Sequence, residues 1–426
     1  MSRQEFILYT PVRATVNDGA VSWEKVNNLK PINGFPQLFW SDGYPWREAN
    51  LWLMLQHTTG GKDLQTIKSK SHSLHSYCKW LEETDTDWRD FPAAESDRCL
   101  VKYRGHLIKT RKASLIAPST TTQRMRVVIQ FYRWLRSQGL INPQWPMWRE
   151  SFVHFRINNS FGLERTLTVS TTSLSIPNRS KVGEKLEDGL YPVSNVDRDK
   201  IVKIALEHCP YEIYLFLMAG FFTGMRIQTL AGLTIQTLEN AVQDPASEDL
   251  YRIAVGPAAT PSVPTKNDVT GHVWISKVLL DELKGYCYSA SRLLREAKAN
   301  AEHKNLVFLT KHGNPYAERN KDHSPALNVA MHSLRKAGMR NGVAALQKFK
   351  FHQTRCTFAT ELARLSIGAG GAIHAIAIVK DALLHRDEAT TMKYIKFVEK
   401  YPIKISMANE FTKAFFNVAS VTSSSI

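Results

Sequence analysis

The most informative stretch of the chain is residues 351–362, which read FHQTRCTFATEL. His352 and Arg355 stand three positions apart, so they share one face if the stretch is a helix. An imidazole that titrates near neutral pH beside a permanently charged guanidinium suits a site that holds an anion and moves a proton. Cys356 follows His352 at the spacing of half a zinc site, but no second pair in the sequence completes it.

A second informative stretch is residues 383–397, which read LLHRDEATTMKYIKF. His385 ends an apolar helical pattern, and Asp387 is a suitable N-cap for the short helix that follows. Tyr394 lies on that short helix. A tyrosine in a helix is most often a packing residue, so this stretch alone does not assign Tyr394 a chemical role.

Two further basic residues stand at the ends of predicted elements. Residues 221–233 read FFTGMRIQTLAGL, in which an apolar helix stops at a Thr-Gly pair and Arg226 follows at once. A guanidinium beside a buried helix needs an anion, which is either a ligand or the carboxylate of a structural salt bridge. Residues 264–276 read PTKNDVTGHVWIS and place Lys266 where a strand meets a turn, a position where ordinary surface lysines are also common.

The order of these residues resembles the catalytic series of the tyrosine recombinases, also called phage integrases. That series runs Arg, Lys, His-x-x-Arg, His or Trp, and Tyr, and each member has a counterpart in this chain. The resemblance covers residues 193–400 and extends less closely to residues 46–145, which look like the helical core-binding domain of the family. It implies a catalytic set of six residues, namely Arg226, Lys266, His352, Arg355, His385 and the nucleophile Tyr394.

The chain departs from the family pattern in three places. Leu384 precedes the second histidine where the family usually has glycine, and Thr229 follows the first arginine where it usually has glutamate. The stretch between Arg355 and His385 is also longer than is common. These departures concern the local backbone more than the chemistry, and they indicate a divergent branch.

The resemblance implies DNA strand exchange through a 3′-phosphotyrosine, with no metal, no cofactor and no ATP. Type IB topoisomerases use the same residues, and a DNA-binding protein that has kept the fold and lost the activity is a second alternative. A metal-dependent nuclease would need clustered acids, whereas the acids of residues 184–198 and of the HRDE sequence are scattered. A bulky N-terminal half favours the integrase of a mobile element over a compact resolvase of chromosome dimers.

The charge of the whole chain points to the same kind of partner. Its 55 Lys and Arg against 39 Asp and Glu give a net charge of +16, which favours DNA or an anionic membrane surface. Residues 213–222 form an apolar run only about half as long as a membrane span, so the sequence favours DNA. Five scattered cysteines without a CxxC pair are typical of the reducing cytoplasm, where we expect the protein to associate with the nucleoid.

The pattern of elements predicts a mainly α fold with a small antiparallel β-sheet, divided into an all-α core-binding domain and an α+β catalytic domain. Strand-like pieces stand at 250–255, 272–276 and 305–310. The predicted segments are an irregular or small β-containing extension (1–45), the core-binding domain (46–150), an exposed linker (151–192), the catalytic domain (193–410) and a tail (411–426).

Five basic residues lie close together in the predicted core-binding domain: Lys102, Arg104, Lys109, Arg111 and Lys112. They either contact DNA phosphates or belong to a solvated helix face. The resemblance implies double-stranded DNA with specific recombination sites as the partner, a homotetramer on that DNA, and accessory DNA-bending proteins. The apolar side of residues 410–418 either docks on a neighbouring subunit or packs on its own domain.

Overall fold

The computed structural model describes residues 1–17, 20–26, 31–158, 164–177, 186–317 and 324–400. The chain separates into two compact units, Met1–Val182 and Gly183–Ile426. The described residues are mainly helical with small antiparallel sheets, which confirms the predicted fold class. The elements of the first unit are β1 (Arg3–Tyr9), β2 (Val12–Asn17), β3 (Ala20–Lys25), β4 (Ile32–Phe39), α1 (Arg47–Thr58), α2 (Leu64–Glu83), α3 (Cys99–Lys112), α4 (Pro118–Ser137), β5 (Glu150–Asn158) and β6 (Glu164–Thr172).

An aromatic core holds the first unit together. Phe131 and Tyr132 of α4 pack against Trp46 and against Tyr77 of α2. The Tyr77 and Tyr132 hydroxyl oxygens are 2.8 Å apart and share a hydrogen bond, so these buried polar atoms are satisfied within the core. Val128, Phe131, Tyr132 and Leu135 recur at the spacing of one helix face, and this face of α4 is buried against α2.

Strands occupy residues 1–45, for which the sequence predicts an irregular or small β-containing extension, and part of 151–192, for which it predicts an exposed linker. In the first 45 residues β1 pairs with β4 and β2 pairs with β3, each antiparallel. Phe35 and Leu38 of β4 are buried in the aromatic core, so these strands belong to the helical unit rather than to a separate irregular extension. In the segment 151–192, expected to be an exposed linker, β5 and β6 form a hairpin, and Leu174 and Ile176 after it are also buried in that core.

The second unit is a helical body with one three-stranded antiparallel sheet. Its strand order is β7-β8-β9, and Leu250 lies opposite Ser276 in the register of β8 and β9. The elements of this unit are α5 (Asn195–His208), α6 (Tyr211–Thr223), α7 (Ile227–Ala231), α8 (Ile235–Glu239), β7 (Val242–Gln243), β8 (Leu250–Val255), β9 (Gly271–Ser276), α9 (Lys277–Cys287), α10 (Ala290–Glu296), α11 (Pro325–Arg340) and α12 (Gln353–Ala382). Residues 388–400 are also helical.

Two of the three predicted strands are present in this unit, and the third is not. The pieces at 250–255 and 272–276 lie in β8 and β9. Residues 305–310 form only isolated bridges, from Leu306 to Thr234 and from Leu309 to Pro315, so the strand prediction there is wrong. This segment is apolar because it is buried in the core, where Val307 and Phe308 are inaccessible to solvent, and not because it lies in a sheet.

Helix α12 is the only helix among the described residues that is long and apolar enough to cross a membrane by length and composition alone. Its backbone leaves the helical conformation at Gly371, where φ is 79° and ψ is 173°. Arg355 in its first turn is buried in the second unit. The buried arginine and the break at Gly371 fit a core helix of this unit better than a membrane span. The apolar residues 410–418 lie outside the described residues.

Candidate functional site

Arg226 is positioned by the abrupt end of α6. Gly224 ends this helix with φ of +65°, and a Cβ atom at this position would lie 2.4 Å from Phe358 and 2.9 Å from Leu383. Glycine therefore satisfies both the left-handed backbone and the close packing, and the chain turns sharply enough to start α7 three residues later. Arg226 is the N-cap of α7, and its side chain is 19% exposed.

Arg355 is held by the backbone at the ends of two other elements. Its Nη1 donates to the Gly224 carbonyl oxygen at 2.7 Å and its Nη2 donates to the Leu383 carbonyl oxygen at 2.8 Å. These bonds fix the guanidinium and leave its Nε facing the site. His352 is the N-cap of the same helix, so the predicted pairing of His352 and Arg355 at one end of a helix is present.

His385 and Tyr394 lie on either side of a tight turn that follows α12. Leu384 has φ of +51°, the left-handed conformation that glycine favours, at the position where the family usually has glycine. His385 Nδ1 and Thr391 Oγ1 are 2.9 Å apart and share a hydrogen bond that fixes the ring. The rings of His385 and Tyr394 stack with centroids 6.1 Å apart, and Tyr394 is fully buried.

Lys266 lies in the connection between β8 and β9, as the sequence predicts. It is exposed, and it lines the same small cleft as Arg226 and Arg355. Its side chain is accessible to solvent, whereas those of the two arginines are mostly buried.

A seventh residue, Glu187, lies where five of these side chains meet, and no motif in the sequence singles it out. Its Oε1 is 3.2 Å from Arg226 Nη2, and its Oε2 is 3.1 Å from Arg355 Nε. The Tyr394 hydroxyl donates to Oε2 at 3.1 Å. His352 Nε2 lies 3.7 Å from Oε2, and His385 Nε2 lies 3.8 Å from Oε1.

The pKa of the Glu187 carboxyl follows from these close contacts. Burial alone raises the pKa of the Glu187 carboxyl, but the imidazoles of His352 and His385 and the charges of Arg355 and Arg226 outweigh it, so its pKa lies far below the usual range. The carboxylate is therefore ionised at neutral pH.

The nucleophile predicted by the resemblance is held in its protonated form. Burial raises the pKa of Tyr394 well above 10, and the neighbouring Cys356 thiol and Glu187 carboxylate raise it further, while Arg355 acts in the opposite direction. Burial also lowers the pKa of His385, so this ring is neutral at neutral pH. The geometry thus brings together a protonated phenol, a neutral imidazole and two fixed cations.

The two guanidinium groups of this site suit an anionic group with two oxygens. Each oxygen of Glu187 faces one guanidinium, which is the arrangement that also suits two non-bridging oxygens of a phosphodiester. Cys356 lies beside the Tyr394 hydroxyl, with its sulfur 3.9 Å from that oxygen. Among the described residues no group of three or more His, Cys, Asp or Glu side chains is arranged to hold a metal ion.

Comparison with known proteins identifies the family of the second unit. The model of the phage integrase family matches residues 195–400, which include the Arg, Lys, His-x-x-Arg, His and Tyr of the site. Residues 195–400 are therefore a domain of this family of tyrosine recombinases. A comparison with curated proteins finds no match. The integrase match begins after Glu187, so the carboxylate at the centre of the site lies outside the part that the family model describes.

Solved integrase structures resemble the chain over most of its length. The Tn1549 transposon integrase in complex with circular intermediate DNA is 14% identical, covers 82% of this chain and 94% of its own, and gives a TM-score of 0.49. Lambda integrase bound to DNA is 11% identical with the same two coverages and a TM-score of 0.42. A lambda integrase tetramer bound to a Holliday junction is 11% identical, covers 89% and 94%, and gives a TM-score of 0.36.

The basic cluster that the sequence singles out lies on one helix of the first unit. Lys102, Lys109 and Lys112 of α3 are exposed, and their spacing places them on one side of the helix. Arg104 and Arg111 are half-buried, and Arg111 donates to the Pro177 carbonyl oxygen at 3.2 Å. The three lysines are therefore the solvent-exposed members of the cluster.

Proposed function

We propose that the protein is a site-specific recombinase that breaks and rejoins DNA through a 3′-phosphotyrosyl bond to Tyr394, for integration or excision of a mobile genetic element. The observation that carries this proposal is the convergence of Arg226, Arg355, His352 and His385 on one carboxylate that also accepts a hydrogen bond from the Tyr394 hydroxyl. A phosphodiester in the same place would meet two guanidinium groups and a nucleophile.

In the cleavage step, the Tyr394 oxygen attacks phosphorus and the bond from phosphorus to the 5′-oxygen breaks. A phenol with a raised pKa is a weak nucleophile at neutral pH, so its proton must pass to a base as the bond forms. His352 is the base that we assign. Arg226 and Arg355 hold the non-bridging oxygens, whose charge grows in the transition state, and fixed donors of this kind lower a barrier by several kcal/mol.

The leaving strand needs a proton, and Lys266 at the mouth of the cleft supplies it to the 5′-oxygen. His385, fixed by Thr391, adds a hydrogen bond to the phosphate. The phosphotyrosine keeps the energy of the broken phosphodiester, so attack by a different 5′-hydroxyl completes strand exchange without ATP. The arginines, the lysine and the histidines provide the charge stabilisation, so we propose that the reaction needs neither a metal nor a cofactor.

We further propose that the partner is double-stranded DNA with specific recombination sites, on which four copies of the chain assemble with the help of accessory DNA-bending proteins. The net charge of +16 supports a polyanionic partner. The lysines of α3 contact phosphates of the duplex and so hold the protein on it. The reaction then takes place in the cytoplasm, at the nucleoid.

Recombination between two DNA molecules tests this proposal. Two plasmids that carry the two junction sequences of the parent element are incubated with the protein and EDTA, without ATP, and the joined product is measured by PCR across the new junction. We expect joined product from the wild type and none from Tyr394→Phe, with DNA binding unchanged in that variant. A wild type that binds the junctions and joins none of them would instead indicate a DNA-binding protein without recombinase activity.

A further inference from the structure

The turn at residues 186–190 carries Glu187 into the site. Leu186 is buried in the small core that also contains Tyr394 and Val379, and Leu190 packs against the same core. The Leu186 amide donates to the Leu190 carbonyl oxygen at 3.2 Å, and Gly189 has φ of +70°. This short closed turn is anchored by two leucines and points the intervening carboxylate at the arginines.

Glu187 contacts the groups of the surrounding side chains that the proposed reaction uses. It accepts from the hydroxyl that must attack phosphorus, and it takes the guanidinium nitrogens that must hold the phosphate oxygens. A carboxylate that only oriented these side chains would bind atoms that face away from the site, as Thr391 does with His385 Nδ1. Glu187 instead binds the atoms that a bound anion would contact.

Glu187 and a phosphodiester exclude one another from this position. Both carry a full negative charge, and the same two arginine groups, Arg226 Nη2 and Arg355 Nε, face the carboxylate oxygens. Two anions within a few ångströms of each other in a largely buried site repel strongly. The Glu187 side chain is only 13% exposed, so little solvent screens that repulsion.

We propose that Glu187 is an autoinhibitory plug that occupies the place of the scissile phosphate in the DNA-free protein, and that the 186–190 turn must leave before a strand is cut. This inference rests on the proposed function for the identity of the displaced anion. The plug keeps Tyr394 protonated, buried and engaged as a donor until DNA arrives. Among the described residues, the contacts of Glu187 itself, the side chains of Leu186 and Leu190 and a few backbone bonds hold the turn, so its displacement by DNA phosphate also moves Leu186 away from the small core beside Tyr394.

Binding of inorganic phosphate to the full-length protein tests the plug without requiring catalysis. Isothermal titration calorimetry compares the wild type with Glu187→Gln, which keeps the shape of the side chain and removes its charge. We expect phosphate to bind the variant roughly tenfold to a hundredfold more tightly, because the open site no longer has to compete with the carboxylate. Phosphate should also raise the melting temperature of the variant more than that of the wild type.

The matched control is Glu361→Gln. Glu361 lies on α12, outside the site, and its carboxylate is also paired with an arginine, Arg364. Its phosphate affinity should equal that of the wild type. If Glu187→Gln does not fold, Glu187→Asp replaces it. The shorter aspartate side chain keeps the charge but cannot span both guanidinium groups. The Glu187→Asp protein should therefore also bind phosphate more tightly than the wild type.

Equal or weaker phosphate binding by the Glu187 variants would overturn the plug and indicate a permanent positioning role for the carboxylate. The result is independent of the proposed reaction. If the Glu187 variants bind phosphate more tightly but the wild type never joins DNA, the plug is supported and the recombinase activity is contradicted. If phosphate binding is unchanged but the wild type joins DNA, the recombinase activity is supported and the plug is contradicted.

Discussion

Arg355 belongs to the fold and to the site at the same time. Two of its nitrogens are committed to the Gly224 and Leu383 carbonyl oxygens, which places the third within reach of an anion. A lysine has one nitrogen and cannot make these three bonds in their fixed directions, so the position requires arginine. The motif His-x-x-Arg predicts the residue from the sequence, but the two carbonyl partners are visible only in the structure.

The pH dependence of stability reports on His385. Its pKa is lowered mainly by burial, so below about pH 6.5 the unfolded chain binds a proton that the folded protein does not. Stability therefore falls as the pH decreases from 6.5 towards the lowered pKa. We expect the free energy of unfolding in urea to fall between pH 7.5 and pH 5.5 by up to about 1 kcal/mol more in the wild type than in His385→Gln. Identical pH dependence in the two proteins would contradict a buried neutral ring.

Glu187 shows why the sequence predicts only part of the site. Its partners Arg226, Arg355 and Tyr394 are 39, 168 and 207 positions away along the chain. Local spacing relates residues within a few turns of a helix, so it places His352 beside Arg355 and His385 near Tyr394 but carries no information on such distant pairs. An acidic residue in a polar segment looks like any solvated surface charge.

At the scale of elements, the ends of helices position the side chains of the candidate site. The end of α6 at Gly224 is predicted by its Thr-Gly sequence, and the structure confirms it. The turn at Leu384 is different, because a leucine gives no signal for a left-handed backbone and only the resemblance marks the position as one for glycine. The sequence also does not predict the strands β5 and β6, because their segment is rich in Ser, Thr and Asn, a composition typical of an exposed linker.

The conformation of Gly224 can be tested with one methyl group. Gly224→Ala adds a Cβ atom to a left-handed backbone and drives it into Phe358 and Leu383. We expect the free energy of unfolding in urea to fall by roughly 2–4 kcal/mol, from backbone strain and overpacking together. Strand joining should fall as well, since Arg226 and the carbonyl partner of Arg355 both depend on this turn.

The matched control is Gly285→Ala in α9, where an added Cβ atom meets no other atom within 4 Å. It should leave the stability unchanged or increase it by up to about 1 kcal/mol, because alanine is the better helix former. A Gly224→Ala protein as stable as the wild type would show that the end of α6 does not constrain the site in the way described.

At the scale of the whole molecule, the net charge determines how the proposed binding to DNA should respond to salt. The net charge of +16 and the exposed lysines on α3 predict that DNA affinity falls steeply with salt. Lys109→Ala should reduce the slope of log affinity against log salt concentration by about 1, the loss of a single phosphate contact. Fluorescence anisotropy of a labelled duplex between low and moderate salt measures this slope.

The control for the salt experiment is Lys79→Ala on α2, whose side chain is paired with Glu83. Its slope should match that of the wild type. If the Lys109 and Lys79 variants behave alike, α3 is an ordinary solvated face and the DNA contacts of the first unit lie elsewhere.

The most direct test of the account is to trap the covalent intermediate. The protein is mixed with nicked DNA that carries a junction of its own element, EDTA is added, and the denatured mixture is examined on a gel for protein that stays joined to DNA. We expect an adduct in the wild type, none in Tyr394→Phe, and no effect of EDTA. Tight DNA binding with no adduct on either junction of the element, or an adduct that persists in Tyr394→Phe, would contradict the assignment of Tyr394 as the nucleophile.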